Sequence, residues 1–134
     1  MKRIILKQKE ENLQINICGY LRRYYPNVIF TCDLGSGMKL TIGQAVKAQK
    51  MRSSRGLPDL MIFQPKGNYY HGMVLELKRQ GTQIYLKDGK TLVADAHIRE
   101  QHDILKKFRE RGYYAEMVCG LEDALRHINH YLKQ

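Results

Sequence analysis

The sequence predicts an α/β domain in which helices flank a central β-sheet. Two observations support this prediction. Four short apolar segments are typical of strands, and segments with the apolar spacing of helices lie before, between and after them. The length of 134 residues suits one hydrophobic core and is too short for two, so we expect a single domain over residues 1–134.

The N-terminal part of the chain begins with a helix over residues 8–25, which Pro26 ends. A short strand follows over residues 28–32, and a loop holds Gly35–Gly37. We interpret the basic stretch after that loop as holding a short helix over residues 43–51. The first helix is expected to bury Leu13, Ile17, Tyr20, Leu21 and Tyr24.

The C-terminal part contains a predicted hairpin. Two strands, over residues 57–63 and 73–78, are joined by a turn at residues 64–68. Residues 79–94 form a basic excursion that turns at Lys87–Gly89. The remaining elements are a helix over residues 95–111, a strand over residues 113–119 and a helix over residues 121–132 that buries Ala124, Leu125, Ile128 and Leu132.

The charge distribution favours a polyanionic partner. Lys and Arg total 23 against 13 Asp and Glu, a formal net charge of +10. The excess lies mainly in residues 1–55, with 11 basic and 3 acidic side chains. Neutralising phosphates with such a surface releases condensed counterions. Charge alone does not separate DNA from RNA or an anionic membrane, but no basic amphipathic segment with a Trp/Phe face is present, so nucleic acid is favoured.

No segment predicts a membrane span or a secretory signal. The apolar run near the N-terminus is only Ile4–Leu6, so an intracellular, cytoplasmic protein is expected. Cys18, Cys32 and Cys119 are odd in number, widely spaced and without a C-x-x-C pair. We therefore expect buried thiols, with no disulfide framework and no zinc site.

Three residues of the hairpin carry the predicted chemistry. Glu76 and Lys78 are two residues apart on one strand, so both are expected to project to the same face. Asp59 begins the neighbouring strand, which can bring its carboxylate beside Glu76. Two such carboxylates repel unless a cation lies between them, and hard oxygen ligands suit Mg²⁺ or Mn²⁺. A lysine beside the metal can help to activate water and offset phosphate charge, so the pattern predicts a phosphodiester hydrolase.

Simpler interpretations exist for each feature alone. A Glu-x-Lys pair is common on exposed strands, and a Pro-Asp pair is common in turns; their combination on consecutive strands is more specific. Gln101 falls within the apolar stripe of its helix, so it needs a buried partner or faces an active centre. Glu10 and Gln14 are i, i+4 neighbours, and the residues alone favour a solvated first turn for both.

Taken together, these motifs resemble the VRR-NUC family of the PD-(D/E)XK nucleases, in particular its short stand-alone members from phages and bacteria. The likeness covers most of the chain, including Gly112-Tyr113 and the Gly120-x-x-x-Ala124 start of the last helix. Its motifs are Glu10…Gln14, Gly56-x-Pro58-Asp59, Glu76-x-Lys78 and Gln101.

The resemblance implies a restriction-endonuclease-like fold with a mixed sheet between helices, and a structure-specific or nicking DNA endonuclease in a bacterial cell, encoded by a phage in some cases. It implies Asp59, Glu76, the Leu77 carbonyl and Glu10 as ligands of Mg²⁺ (or Mn²⁺), with Glu11 as the alternative to Glu10. Lys78 is the implied catalytic lysine, and Gln101 lines the site. The same resemblance implies a homodimer acting on branched or flapped DNA.

The expected DNA contacts come mainly from the basic stretch before Asp59, although a run of this kind is more usually a solvated face. They are Lys47, Lys50, Arg52 and Arg55, together with Gln14. Two alternative functions remain open: a non-catalytic nucleic-acid-binding protein on a nuclease fold, and a nuclease subunit active only within a larger complex. Retention of both acidic residues and the lysine favours an enzyme over a binding module.

Overall fold

A computed structural model describes residues 10–32, 40–53 and 56–133, with the side chains of Glu10 and Glu11 excepted. The described residues form four helices and four strands. In chain order these are α1 (Glu10–Tyr24), β1 (Phe30–Cys32), α2 (Ile42–Lys50), β2 (Leu60–Ile62), β3 (Met73–Lys78), α3 (Ala96–Glu110), β4 (Tyr114–Cys119) and α4 (Gly120–Leu132).

The strands form one mixed sheet in the order β1-β2-β3-β4. β1 pairs antiparallel with β2, and β2 pairs antiparallel with β3, so the predicted hairpin is present. β3 and β4 are parallel, and the chain passes between them through α3. A parallel pair needs such a crossover because the chain must return to the same end of the sheet.

Side chains that alternate along β3 fill two separate apolar cores. Leu75 and Leu77 belong to the larger core, in which α1 and α4 cover one face of the sheet. Val74 belongs to a smaller core on the opposite face, where it packs with Leu105 of α3. Every residue of β3 is buried, as expected for a central strand with helices on both faces.

Most predicted elements are present with ends shifted by a few residues. β3 has its predicted bounds, and α2 begins with a capping box between Thr41 and Gln44. β2 is shorter than predicted. Leu13, Ile17 and Leu21 are buried as predicted, but the predicted burial of Tyr24 is wrong. Tyr24 is the last residue of α1, and its exposed ring packs on Tyr20 at a centroid distance of 4.7 Å.

The predicted loop at Gly35–Gly37 lies outside the described residues. Residues 79–94, predicted as an excursion, contain an isolated bridge between Tyr85 and Leu92. None of the three cysteines forms a disulfide, and each is half-buried rather than fully buried. None of the helices in the described part of the chain is long and apolar enough to cross a membrane.

Candidate functional site

Asp59 lies immediately before β2, and a hydrogen bond fixes it to the neighbouring strand. Leu60 pairs with Leu75, so extending the antiparallel register by one residue places Asp59 opposite Glu76. The Leu77 backbone N–H donates to Asp59 Oδ2 at 2.8 Å. Because this donor lies between Glu76 and Lys78 in the chain, the Asp59 carboxylate is held at the end of β3 that carries both predicted site residues.

Glu76 and Lys78 project to the face of the sheet that α3 covers. Leu75 and Leu77 point into the larger core, and successive strand residues point to opposite faces. Glu76 and Lys78 therefore lie on the side of Val74, which packs against α3. The alternation of MVLELK thus places a carboxylate and an ammonium group together on one face, as the sequence predicted.

Gln101 reaches this face from α3. The Asp95 side chain caps the helix by accepting hydrogen bonds from the backbone N–H groups of His97 and Ile98. Gln101 lies less than two turns further along and donates from Nε2 to Glu76 Oε1 at 2.6 Å. The buried glutamine therefore has the partner that its place in an apolar stripe required. Its Oε1 is buried without a hydrogen-bond partner among the described residues.

The charged side chains of the site are nearly inaccessible to solvent. Asp59 and Glu76 are each 5% exposed and Lys78 is 7% exposed. Burying a charge is costly unless it is paired or hydrogen-bonded, which explains the donors on both carboxylates. Two carboxylates and one ammonium group leave a formal excess of one negative charge at this end of the sheet. A buried negative excess favours the binding of a cation.

The donor set fits a hard divalent cation. Carboxylate oxygens are the preferred ligands of Mg²⁺ and Mn²⁺, and Mg²⁺ commonly binds through one or two carboxylates while keeping several waters. Asp59 and Glu76 supply that number. The described residues contain no group of three His, Cys, Asp or Glu side chains arranged to hold a metal. Glu10, the predicted additional ligand, begins α1, but its side chain lies outside the described part of the chain.

An open depression of about 360 Å³ adjoins the buried residues. Its lining includes Gly56, His97, Glu100 and Gln101. Gly56 has a φ of 67°, a left-handed conformation in which glycine is favoured, and it opens the segment that leads to Asp59. The depression therefore gives solvent, or a substrate group, access to Gln101, which donates to Glu76.

The remaining predicted contacts lie apart from the buried cluster. Lys47 and Lys50 are exposed on α2, and Arg52 follows that helix; Arg55 lies outside the described residues. Gln14 is buried, so the prediction that it lies in a solvated first turn is wrong. Its Nε2 has no hydrogen-bond partner in the described part of the chain. It comes from α1, on the sheet face opposite α3, because the neighbouring Leu13 packs in the larger core.

Two polar contacts were not anticipated from the sequence. Cys18 Sγ and Cys32 Sγ lie 3.3 Å apart. Their hydrogen bond and the nearby positive charge of Arg22 outweigh burial and lower the pKa of the Cys18 thiol to about 7. His127 is half-buried, and its Nδ1 lies 2.6 Å from Tyr114 Oη. Neither contact had a sequence signal, because each joins residues on different elements.

The mixed four-stranded sheet between helices, with acidic residues at the adjoining ends of two antiparallel strands, has the architecture of the PD-(D/E)XK-like fold class. Within that class the chain is similar to a solved structure described as a VRR_NUC domain protein. The comparison gives a TM-score of 0.69 at 20% sequence identity and covers 96% of this chain and 92% of the other. No protein-family model and no curated protein matches the sequence.

At this level of identity, the likeness establishes the fold. It confirms the α/β restriction-endonuclease-like architecture and the VRR-NUC-like fold that the motifs implied.

Proposed function

We propose that this protein is a metal-dependent endonuclease that hydrolyses DNA phosphodiester bonds, acting on particular DNA structures or by nicking. The observation that carries the proposal is the buried cluster in which Asp59 accepts from the Leu77 N–H and Glu76 accepts from Gln101, with Lys78 on the same face. Burying these charged groups destabilises the folded protein, and buried charges of this kind cluster at functional sites.

In this proposal, Asp59 and Glu76 hold Mg²⁺ or Mn²⁺, with the Leu77 carbonyl and Glu10 as additional ligands. The bound cation would act as a Lewis acid and lower the pKa of a water molecule. Lys78 orients the attacking water and offsets negative charge on the phosphate. Gln101 holds Glu76 in position through its 2.6 Å hydrogen bond and lines the adjacent depression.

DNA contacts are proposed on the basic surface around α2. Lys47 and Lys50 are exposed and lie shortly before Gly56, which lines the depression. Arg52 and Arg55 continue the same basic stretch toward Asp59. The predicted DNA contact at Gln14 is not proposed, because its side chain is buried. The formal net charge of +10 supports a polyanionic substrate because basic side chains neutralise phosphates and release counterions. Such binding should weaken as the salt concentration rises.

The test is cleavage of supercoiled plasmid and of flap, splayed-arm and four-way-junction DNA, with Mg²⁺, Mn²⁺ or EDTA. We expect metal-dependent cleavage that Glu76→Ala and Asp59→Ala abolish, and that Lys78→Met lowers by about 100-fold or more. Lys107→Met, an exposed lysine near the C-terminal end of α3, is the matched control and should cleave like the wild type.

The same assay separates the proposal from its alternatives. A non-catalytic binding module would bind DNA in a salt-sensitive way and cleave no substrate with either metal. An obligate subunit would cleave only after a partner protein is added. We further propose that the chain acts as one domain and as a homodimer in the bacterial cytoplasm; light scattering after size-exclusion chromatography should then give twice the mass of one chain.

A further inference from the structure

Both ends of the excursion between β3 and α3 lie at the candidate site. The excursion begins directly after Lys78, and it ends at Asp95, the N-cap of the helix that carries Gln101. Its first turn is packed against the end of β4, where Cys119 Sγ donates to the Thr82 carbonyl at 3.5 Å. Cys119 pairs with Lys78 across the sheet, so this first turn is held beside the end of β3 that carries Lys78.

Residues 83–93 form a β-hairpin, named here the 83–93 hairpin. The Val93 N–H donates to the Ile84 carbonyl at 3.0 Å, and the Leu86 N–H donates to the Thr91 carbonyl at 2.8 Å. Tyr85 and Leu92 form a bridge between these two hydrogen bonds. Ile84 is buried and joins the base of the hairpin to the protein. The segment is thus an ordered projection.

Asp88, the only acidic residue of the 83–93 hairpin, forms hydrogen bonds within the turn. Asp88 Oδ1 accepts hydrogen bonds from the N–H groups of Lys90 and Thr91, each at 2.9 Å. The exposed lysines Lys87 and Lys90 flank Asp88, so the tip carries a net positive charge. A tip of this kind attracts phosphate groups.

Tyr85 supplies a stacking surface on the hairpin. Its side chain is 42% exposed, and since Ile84 points inward, the alternation of the strand turns Tyr85 outward. The three residue-to-residue steps from Ile84 to Lys87 extend about 10 Å, which spans roughly three base pairs along a DNA axis. Aromatic side chains beside basic residues bind unpaired bases by stacking.

We propose that the 83–93 hairpin is a DNA-reading arm, in which Tyr85 stacks on an unpaired base near the scissile phosphate while Lys87 and Lys90 bind the flanking phosphates. The inference rests on the proposed function for the identity of the ligand. It adds a substrate preference, because the arm favours DNA with a single-stranded segment, such as a flap or splayed arm, over a continuous duplex.

The experiment measures binding in EDTA, where no cleavage is needed. A splayed-arm DNA carries 2-aminopurine in the single strand next to the junction, and a fully paired duplex serves as the second ligand. The wild type should quench the fluorescence, and Tyr85→Ala should lose the quenching and bind the splayed arm about tenfold more weakly. Binding of Tyr85→Ala to the duplex should change less than twofold.

Matched controls come from the far end of the fold. Tyr69 is an exposed tyrosine on the turn between β2 and β3, at the opposite end of those strands from Asp59 and Glu76, so Tyr69→Ala should quench normally. The double variant K87A/K90A should reduce the magnitude of the slope of log K against the logarithm of the salt concentration by about 1–2. The double variant K106A/K107A, at the C-terminal end of α3, should leave it unchanged. Thermal unfolding verifies that each variant is folded.

Quenching and affinity that are the same in Tyr85→Ala and the wild type would overturn the inference, as would a wild type that binds neither DNA. This outcome is distinct from failure of the nuclease proposal. Tyr85-dependent quenching without cleavage of any substrate would support the DNA-reading arm and contradict the nuclease proposal. Cleavage by the wild type with unaltered DNA binding in Tyr85→Ala would support the nuclease proposal and contradict the arm.

Discussion

Gln101 donates a hydrogen bond of 2.6 Å from Nε2 to Glu76 Oε1, and both side chains are buried. This bond joins helix α3 to strand β3 at the point where the strand carries its carboxylate and its lysine. A long acidic side chain has several rotamers of similar energy, and a buried amide that donates to it selects one of them. The position of the Glu76 carboxylate therefore depends on how α3 packs against the sheet.

Replacement of Gln101 by leucine should reduce activity while preserving the fold. Gln101→Leu keeps the side-chain volume but removes the donor to Glu76, so metal-dependent cleavage should fall by about 10–100-fold. DNA binding in EDTA should remain within twofold of the wild type. Lys106→Ala, on the exposed face of the same helix, is the control and should retain full activity. Normal cleavage by Gln101→Leu would show that the bond does not position Glu76 for catalysis.

Replacement of Gln14 by leucine should stabilise the protein. The Gln14 Nε2 is buried without a hydrogen-bond partner among the described residues, and such a group costs about 1–3 kcal/mol. Gln14→Leu should therefore raise the free energy of unfolding, measured by urea unfolding, by about 1 kcal/mol. Asn16→Leu, an exposed position on α1, should change stability by less than about 0.5 kcal/mol. A destabilised Gln14→Leu protein would contradict the prediction.

Two glycine-to-alanine substitutions should have opposite effects on stability. Gly112 has a φ of 86°, and a Cβ there would lie 2.7 Å from His71 Cδ2. Gly112→Ala should therefore lower the free energy of unfolding by about 1–3 kcal/mol. Gly19 lies within α1, and in the described part of the chain a Cβ there would meet no atom within 4 Å. Gly19→Ala should raise the free energy of unfolding by about 0.5–1 kcal/mol, because alanine favours the helical conformation more than glycine does. Urea unfolding measures both variants, and equal shifts of their midpoints would contradict the predicted difference.

The reactivity of Cys18 should depend on pH differently from that of Cys119. The hydrogen bond with Cys32 lowers the pKa of the Cys18 thiol to about 7, whereas burial and the Asp123 charge raise the pKa of Cys119 above its ordinary value of 9.0. The thiolate is the nucleophile, so the rate of Cys18 alkylation by iodoacetamide should level off above about pH 7. The rate for Cys119 should still rise at pH 9. Site-resolved mass spectrometry measures both rates.

The variant Cys32→Ser provides the control for this profile. A serine hydroxyl is a different donor from a thiol at this position, so the plateau for Cys18 should shift to a different pH while the profile for Cys119 stays the same. A Cys18 rate that still rises at pH 9 in the wild type would contradict the assigned pKa.

Local sequence patterns were sufficient for most of the fold. The bounds of β3 followed from a short apolar run between turn residues, and α3 followed from its apolar period and its end before Gly112. The face shared by Glu76 and Lys78 followed from the two-residue period of a strand. These features depend on residues close in the chain, where backbone geometry limits the choices.

Contacts between distant segments could not be predicted in this way. The sequence alone determined that two carboxylates and a lysine would lie near adjoining strand ends, because a hairpin constrains them. Only the tertiary structure decided that the Leu77 N–H binds Asp59, that Gln14 is buried and that Cys18 lies 3.3 Å from Cys32. Each depends on how helices and strands pack across the core, and packing is set by the combined shape of many side chains rather than by any local period.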